Sequence, residues 1–350
     1  MATIKAPARL PELVRATFAK ALADGDLFYF PTHVQDMRFQ LRFSPSLANK
    51  PKAAPPKKDA AGAPSSKPPD PFEYTTSPPP RLFVGDVGAA HFLVLNKFAI
   101  VPGHFILATR AYRAQTHVLE ADDLHATLAC LRAYEEEDDA EPASASAASA
   151  GGGDGALFAF FNGGEHSGAS QPHRHIQLLP VAAMREGLPA DSAWRVLVAR
   201  LDGDKASSSS SSSSVAPFRT FAEDIRLDTS RDDLYATYLR LYERAVRATL
   251  EDESAAVATG GRAAISYNMA MTRSRLVLCP RLSEGGAITD PDTGDVVGKL
   301  SLNGTMLAGT ALVRTEAEWE ALRKNPRTLT AVLKSVGLSQ PQFIDDINKL

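Results

Sequence analysis

The sequence predicts an α+β fold. Short runs rich in β-branched and aromatic residues crowd the middle of the chain, and amphipathic helical stretches stand between and after them. No regular strand–helix alternation links the two, which argues against a βαβ architecture. The 350 residues are 44% hydrophobic and 23% charged, ordinary for a soluble chain and ample for a sizeable core. A formal net charge of -3 gives no overall attraction to nucleic acid or to an anionic membrane, so neither is expected as a partner.

The elements follow in order. Residues 81–110 read as three strands, at 82–84, 92–95 and 105–107, with turn signals at Gly85-Asp86 and Pro102-Gly103. Residues 119–136 have helical spacing, with Leu124, Leu128 and Leu131 on one face and acidic residues at the start. Residues 156–161 and 176–180 read as short strands. Residues 232–250 read as a helix, because Leu234, Tyr238, Leu241, Tyr242 and Ala245 recur three and four apart. Residues 263–271 and 276–279 suit a strand pair, and 319–323 and 329–336 suit two closing helices. Three stretches lack the apolar content that offsets the entropy of ordering: about 51–80, 137–155 and 203–216. They read as mobile surface insertions in a single catalytic domain spanning 1–350. The serine run Ser207 to Ser214 reads as a tolerated loop expansion rather than a modification target.

Only two cysteines occur, Cys130 and Cys279, far apart and outside any Cys-x-x-Cys pair. That fits a reducing compartment and gives no cysteine-based metal site. The N-terminus carries Lys5 and Arg9 without a long apolar core, and no run approaches the ~18 apolar residues of a membrane span. A cytoplasmic location is expected, with a nuclear share left open.

Chemistry concentrates in residues 161–177, FNGGEHSGASQPHRHIQ. A loop of small residues, 162–170, lets backbone N–H groups approach phosphate oxygens, and Ser167 and Ser170 add hydroxyls. His173, His175 and Gln177 then stand two apart, on one face if the segment is a strand. An imidazole with one nitrogen held by a hydrogen bond and the other bearing a lone pair is a good nucleophile toward phosphorus. An adjacent amide can donate to a non-bridging oxygen as charge builds. A bare His-x-His is more often a metal site or a satisfied core pair, so the weight rests on the whole ordered segment.

That segment resembles the active-site signature of the histidine-triad superfamily. It is most similar to the transferase branch, where His-x-His-x-Gln replaces the triad. Within the branch, Ser-Gly-Ala-Ser-Gln followed by His173-Arg174-His175-Ile176-Gln177 looks like the diadenosine tetraphosphate phosphorylases (ATP adenylyltransferases) rather than the uridylyltransferases, whose metal-ligating cysteines have no counterpart here. Three further segments resemble that family: residues 93–104 (LVLNKFAIVPGH), residues 39–51 with Arg42, Ser46, Leu47 and Lys50-Pro51, and residues 266–281 with Tyr267-Asn268, Thr272 and Pro280-Arg281. The likeness spans roughly residues 28–338. Departures are the insertions, Pro172 before His173, and Arg275-Leu276 where the family often has Trp-Met.

The resemblance implies a histidine-triad α+β fold of the galactose-1-phosphate-uridylyltransferase type, a duplicated half-barrel with antiparallel sheets and flanking helices. It implies His175 as nucleophile, supported by His173, with Gln177 on the α-phosphate. It places Asn162, Ser167, Gly168, Ala169 and Ser170 along the polyphosphate, and Lys50 and Arg281 as cationic contacts. Asn96 and Lys97 fall by the ribose or phosphates, with turn-pinning as the plainer role for Asn96. Ala270, Met271 and Thr272 line the base or phosphate side, with a strand interior as the alternative. His104 reads as a structural residue of its turn. The implied reaction is phosphorolysis of diadenosine tetraphosphate to ADP and ATP, reversible, with sulfate as a second acceptor. The implied partners are dinucleoside polyphosphates, ATP, ADP and phosphate. No cofactor or protein-bound metal is expected; Mg2+ or Mn2+ travels with the nucleotide. Base preference and oligomeric state are not legible. Three alternatives stay open: a related transferase acting on a nucleotide sugar, a dinucleotide hydrolase, and a catalytically silent nucleotide binder.

Overall fold

The computed structural model describes residues 4–29, 33–35, 39–44, 70–73, 81–138, 154–201 and 215–340. In chain order these form α1 (Leu10–Ala23), β1 (His33–Gln35), β2 (Gln40–Phe43), β3 (Phe83–Val87), β4 (His91–Leu95), β5 (Phe105–Thr109), α2 (Ala121–Asp138), β6 (Leu157–Gly163), β7 (His175–Pro180) and α3 (Val181–Arg185). There follow β8 (Phe221–Asp224), α4 (Arg231–Leu250), β9 (Tyr267–Met271), β10 (Arg275–Pro280), β11 (Gly285–Thr289), β12 (Val296–Ser301), β13 (Thr310–Val313), α5 (Glu316–Lys324) and α6 (Pro326–Ser335).

The centre is an eight-stranded sheet in the order β3-β4-β5-β7-β6-β9-β10-β8, antiparallel at every pairing. The α+β expectation therefore holds. The β6–β9 pairing, Ala159↔Met271 to Gly163↔Tyr267, joins the first five strands to the last three. Strand alternation sorts the side chains to two faces. Ile176 and Leu178 of β7 join Leu128, Leu131, Tyr238 and Leu241 under α2 and α4. Leu179 joins Phe158, Phe160, Val277 and Met306 on the opposite side. That second face is covered by the 3-10 turn Gly304–Ala308, the β1-β2-β13 sheet and the terminal helices. The β11–β12 hairpin packs beside α5 and α6.

Most expected elements occur with shifts of a few residues. The turn read at Gly85-Asp86 is instead a register shift inside β3. The chain reverses after it, where Gly88 takes φ 62. A Cβ on Gly85 would meet Pro7 Cγ at 2.7 Å, so this glycine serves a close approach rather than a turn. Parts of the three stretches read as mobile insertions are ordered. Residues 137–138 end α2, Asp154 is buried against Arg195, Ala216 is core, and residues 70–73 dock on the sheet. The serine run and Lys50 lie outside the described residues.

Candidate active site

The His-Arg-His-Ile-Gln run enters β7 at His175, and His173 lies just before the strand in an isolated bridge to Ala114. His175 is 3% exposed, and its Nδ1 lies 2.8 Å from the His173 carbonyl oxygen. A carbonyl only accepts, so Nδ1 carries the proton and the lone pair falls on Nε2. Gln115 fixes the backbone around it: its Oε1 accepts from His175 N–H at 2.8 Å. Its Nε2 donates to the Asn162 and His175 carbonyls at 2.9 and 3.2 Å. Nothing in the sequence marked Gln115, because its partners lie about fifty residues away and no spacing rule reaches them.

Gln177 lies on the same face of β7. Its Oε1 accepts from His104 Nε2–H at 2.7 Å and from Asn96 Nδ2 at 3.2 Å. His104 Nδ1 in turn accepts the Ile100 N–H at 3.4 Å, which assigns its proton to Nε2. The Gln177 oxygen is thus occupied from within. His104, read as a turn residue, orients the site amide. Asn96 serves both readings, since its Oδ1 also accepts Phe98 N–H at 2.9 Å.

The loop before β7 is held from beneath. Asn162 Oδ1 accepts from Asn268 Nδ2 at 2.9 Å and from Gly304 N–H at 2.8 Å. Asn268 Nδ2 also donates to the Ser167 carbonyl at 2.9 Å, while Ser167 Oγ donates to the Gly164 carbonyl at 2.7 Å. Gly168 takes φ +79, and a Cβ there would meet the Leu302 carbonyl at 2.6 Å, so only glycine fits. Ala169 and Ser170 are exposed at the rim of a 560 Å³ cavity that also reaches Gln115, Arg262 and Ser266.

Several expected contacts fall elsewhere. Arg281 is 2% exposed and donates to the Val336, Ser283, Glu284 and Leu302 carbonyls and to Asn268. Burial lowers its pKa to about 10. Its guanidinium is enclosed by protein acceptors and holds Asn268 beneath the loop. Met271 points to the helical face with Ile176 and Leu178, away from His175. Ala270 shares the site's face, but Phe160 stands between it and Gln177 in register. Thr272 is buried at the β9–β10 turn. Lys97 is exposed, with Nζ 5.8 Å over the Phe28 ring.

Behind the sheet, Arg174 is 2% exposed and donates to Asp123 Oδ2 at 2.7 Å, Glu120 Oε1 at 3.0 Å and the Val118 carbonyl at 3.1 Å. Asp123 Oδ1 meets His91 Nε2 at 2.8 Å. Burial raises the Asp123 pKa, but the His91 hydrogen bond and the Arg174 and His91 charges outweigh it and hold the carboxyl below its ordinary range. Among the described residues, no group of three or more His, Cys, Asp or Glu side chains stands close enough to hold a metal ion. No helix among them is long and apolar enough to cross a membrane.

The geometry can be set beside known proteins. Protein APA1 of Saccharomyces cerevisiae is 29% identical over 182 residues, covering 49% of this chain and 50% of that protein. Diadenosine 5',5'''-P1,P4-tetraphosphate phosphorylase 2 of the same yeast is 31% identical over 147 residues, covering 41% of this chain and 38% of that protein. The chain thus spans half or less of the length of these relatives. The crystal structure of yeast Ap4A phosphorylase Apa2 superposes with a TM-score of 0.68 at 21% identity, covering 95% of this chain and 98% of that one. Its complex with Ap4A superposes equally well; at this identity the likeness establishes the fold. The ATP adenylyltransferase C-terminal domain matches residues 214–339. The Ap4A phosphorylase N-terminal domain matches residues 1–194, more than half of the sequence, and the chain accordingly belongs to the Ap4A phosphorylase family.

Proposed function

We propose that this protein is a nucleotidyltransferase that cleaves diadenosine tetraphosphate with phosphate, reversibly, through an adenylyl group carried on His175. The observation that carries this reading is the His175 tautomer, fixed by the 2.8 Å bond from Nδ1–H to the His173 carbonyl. Nε2 attacks the α-phosphorus, the bond from that phosphorus to its bridging oxygen breaks, and ATP leaves. Inorganic phosphate then attacks the adenylyl-His175 phosphorus, ADP departs and the imidazole is regenerated. The Gln177 NH2 and the backbone N–H groups of 168–170 stabilise the non-bridging oxygens. Asn162, its oxygen already bonded, offers its NH2 to the polyphosphate, and Lys50 supplies a cation. Mg2+ or Mn2+ arrives with the nucleotide, and sulfate can replace phosphate as acceptor. Eight strands drawn from both matched regions form one sheet, which supports a single catalytic unit.

The test uses diadenosine tetraphosphate labelled at the α-phosphate, without acceptor. Wild type should retain acid-labile label and release it as ADP when phosphate is added. His175→Ala should retain none. Label on the variant, or phosphorolysis by a wild type that never becomes labelled, would remove His175 from this role.

A further inference from the structure

Residues 70–73 read Asp-Pro-Phe-Glu, a sequence suited to a tight turn. Proline fits the second position of a turn because its φ is preset, and aspartate fits the first because its carboxyl can accept from the backbone ahead. Both features are in use. Glu73 N–H donates to the Asp70 carbonyl at 3.2 Å, and Phe72 N–H donates to Asp70 Oδ1 at 2.9 Å. The turn is therefore held in shape from within.

This turn docks on the sheet through both side chains. Asp70 Oδ2 lies 2.7 Å from His173 Nδ1. Phe72 is 6% exposed and joins Phe92, Val94, Ile106 and Ala108 in an apolar cluster on β4 and β5. Ala108 stands in register with His175, and Ile106 with Gln177, so the cluster borders the site. The Phe72 ring consequently reaches both histidines. It lies edge-on to His173 at 5.6 Å, and tilted by 37° against His175 at 5.2 Å. The bond from His175 Nδ1 to the His173 carbonyl fixes one point of the nucleophile's ring. A single hydrogen bond permits pivoting about its own axis, whereas a ring packed alongside opposes it.

We propose that the Asp70–Glu73 turn is a positioning clamp for the nucleophile. Asp70 anchors the turn on His173, and Phe72 fixes the plane of the His175 ring, so that Nε2 keeps one line toward phosphorus. This role rests on His175 being the nucleophile. In-line attack tolerates little error, and a reacting atom misplaced by ~1 Å can cost about 100-fold in rate. Asp70 and Phe72 act through the imidazoles and are positioning residues.

Two measurements on the full-length protein test this. The first is single-turnover adenylylation by diadenosine tetraphosphate labelled at the α-phosphate. Phe72→Ala should take up label about 10- to 100-fold more slowly than wild type, with its Kd for the dinucleotide little changed. Phe72→Leu, which refills part of the apolar seat, should recover part of the rate. The second uses no nucleotide: diethyl pyrocarbonate should modify His175 faster in Phe72→Ala and in Asp70→Ala than in wild type, read by mass spectrometry of the His175 peptide. A wild-type rate for Phe72→Ala in either measurement overturns the proposal. So does a Kd weakened as far as the rate, which would make Phe72 a wall of the nucleotide pocket instead. A wild type that never becomes labelled removes the His175 reading, while the modification rates still decide whether the turn clamps the ring. Should Phe72→Ala not fold, Phe72→Leu carries both measurements, and a wild-type rate in either overturns the proposal.

Discussion

At Gln177 the proposed chemistry depends on which end of the amide faces the substrate. A carbonyl oxygen toward an α-phosphate would repel it, and an NH2 would donate to it. His104 and Asn96 settle the choice by donating to Oε1 at 2.7 and 3.2 Å. His104→Phe removes one of these donors and frees the amide to flip. The variant should lose about 10- to 100-fold in kcat, as for loss of an orienting partner, with KM little changed and the thermal unfolding profile retained. Steady-state phosphorolysis assays check this; an unchanged kcat would free Gln177 from His104. Gly168 gives a second residue-level prediction. Gly168→Ala must accommodate φ +79 and a Cβ 2.6 Å from a carbonyl oxygen. It should cost about 1–3 kcal/mol of stability and raise KM for the dinucleotide, measured by denaturant melts and kinetics.

At the scale of the elements, β7 is held from both sides. Its front carries His175 and Gln177, while Arg174 just before it enters the buried Asp123–His91 cluster behind the sheet. Removing one member of such a pair leaves an uncompensated charge, so Arg174→Ala should destabilise the fold by about 3–5 kcal/mol, readable in urea unfolding. The Asp123 carboxyl has a folded-state pKa below its unfolded value. Its contribution is therefore present above the unfolded pKa and lost as pH falls through the folded one. Stability should decline on acidification below the ordinary carboxylate range, and Asp123→Asn should flatten that decline while lowering stability at neutral pH. Equilibrium unfolding across pH, wild type against variant, measures both.

The same elements show what a sequence yields. His175 and Gln177 were legible as one face because strand alternation is a local rule, and α2 and α4 were legible because their apolar faces repeat. Gln115, Asp70 and the role of His104 were not, since each acts on a partner far along the chain through a single contact. The surroundings of Arg281 were hidden for a related reason: type and motif position say nothing of the four carbonyls that enclose it. Asp70 sat in a stretch whose composition argued against order, yet a four-residue piece of it docks on His173 and His175.

Over the whole molecule, the β6–β9 ladder joins the regions matched by the two domain descriptions into one sheet. The Asn162–Asn268–Arg281 chain of hydrogen bonds crosses that seam directly beneath the 162–170 loop. The molecule should therefore unfold in one cooperative transition, with the same midpoint by fluorescence and far-ultraviolet circular dichroism; two separated transitions would contradict this. The proposed function is a covalent transfer, and stereochemistry tests it most directly. Phosphorolysis of a dinucleotide made chiral at the α-phosphorus by one sulfur and one oxygen isotope should give ADP with retained configuration, because attack by His175 and then by phosphate inverts it twice. Inverted configuration in the product would mean that phosphate attacks the dinucleotide itself and that no adenylyl-histidine lies on the path.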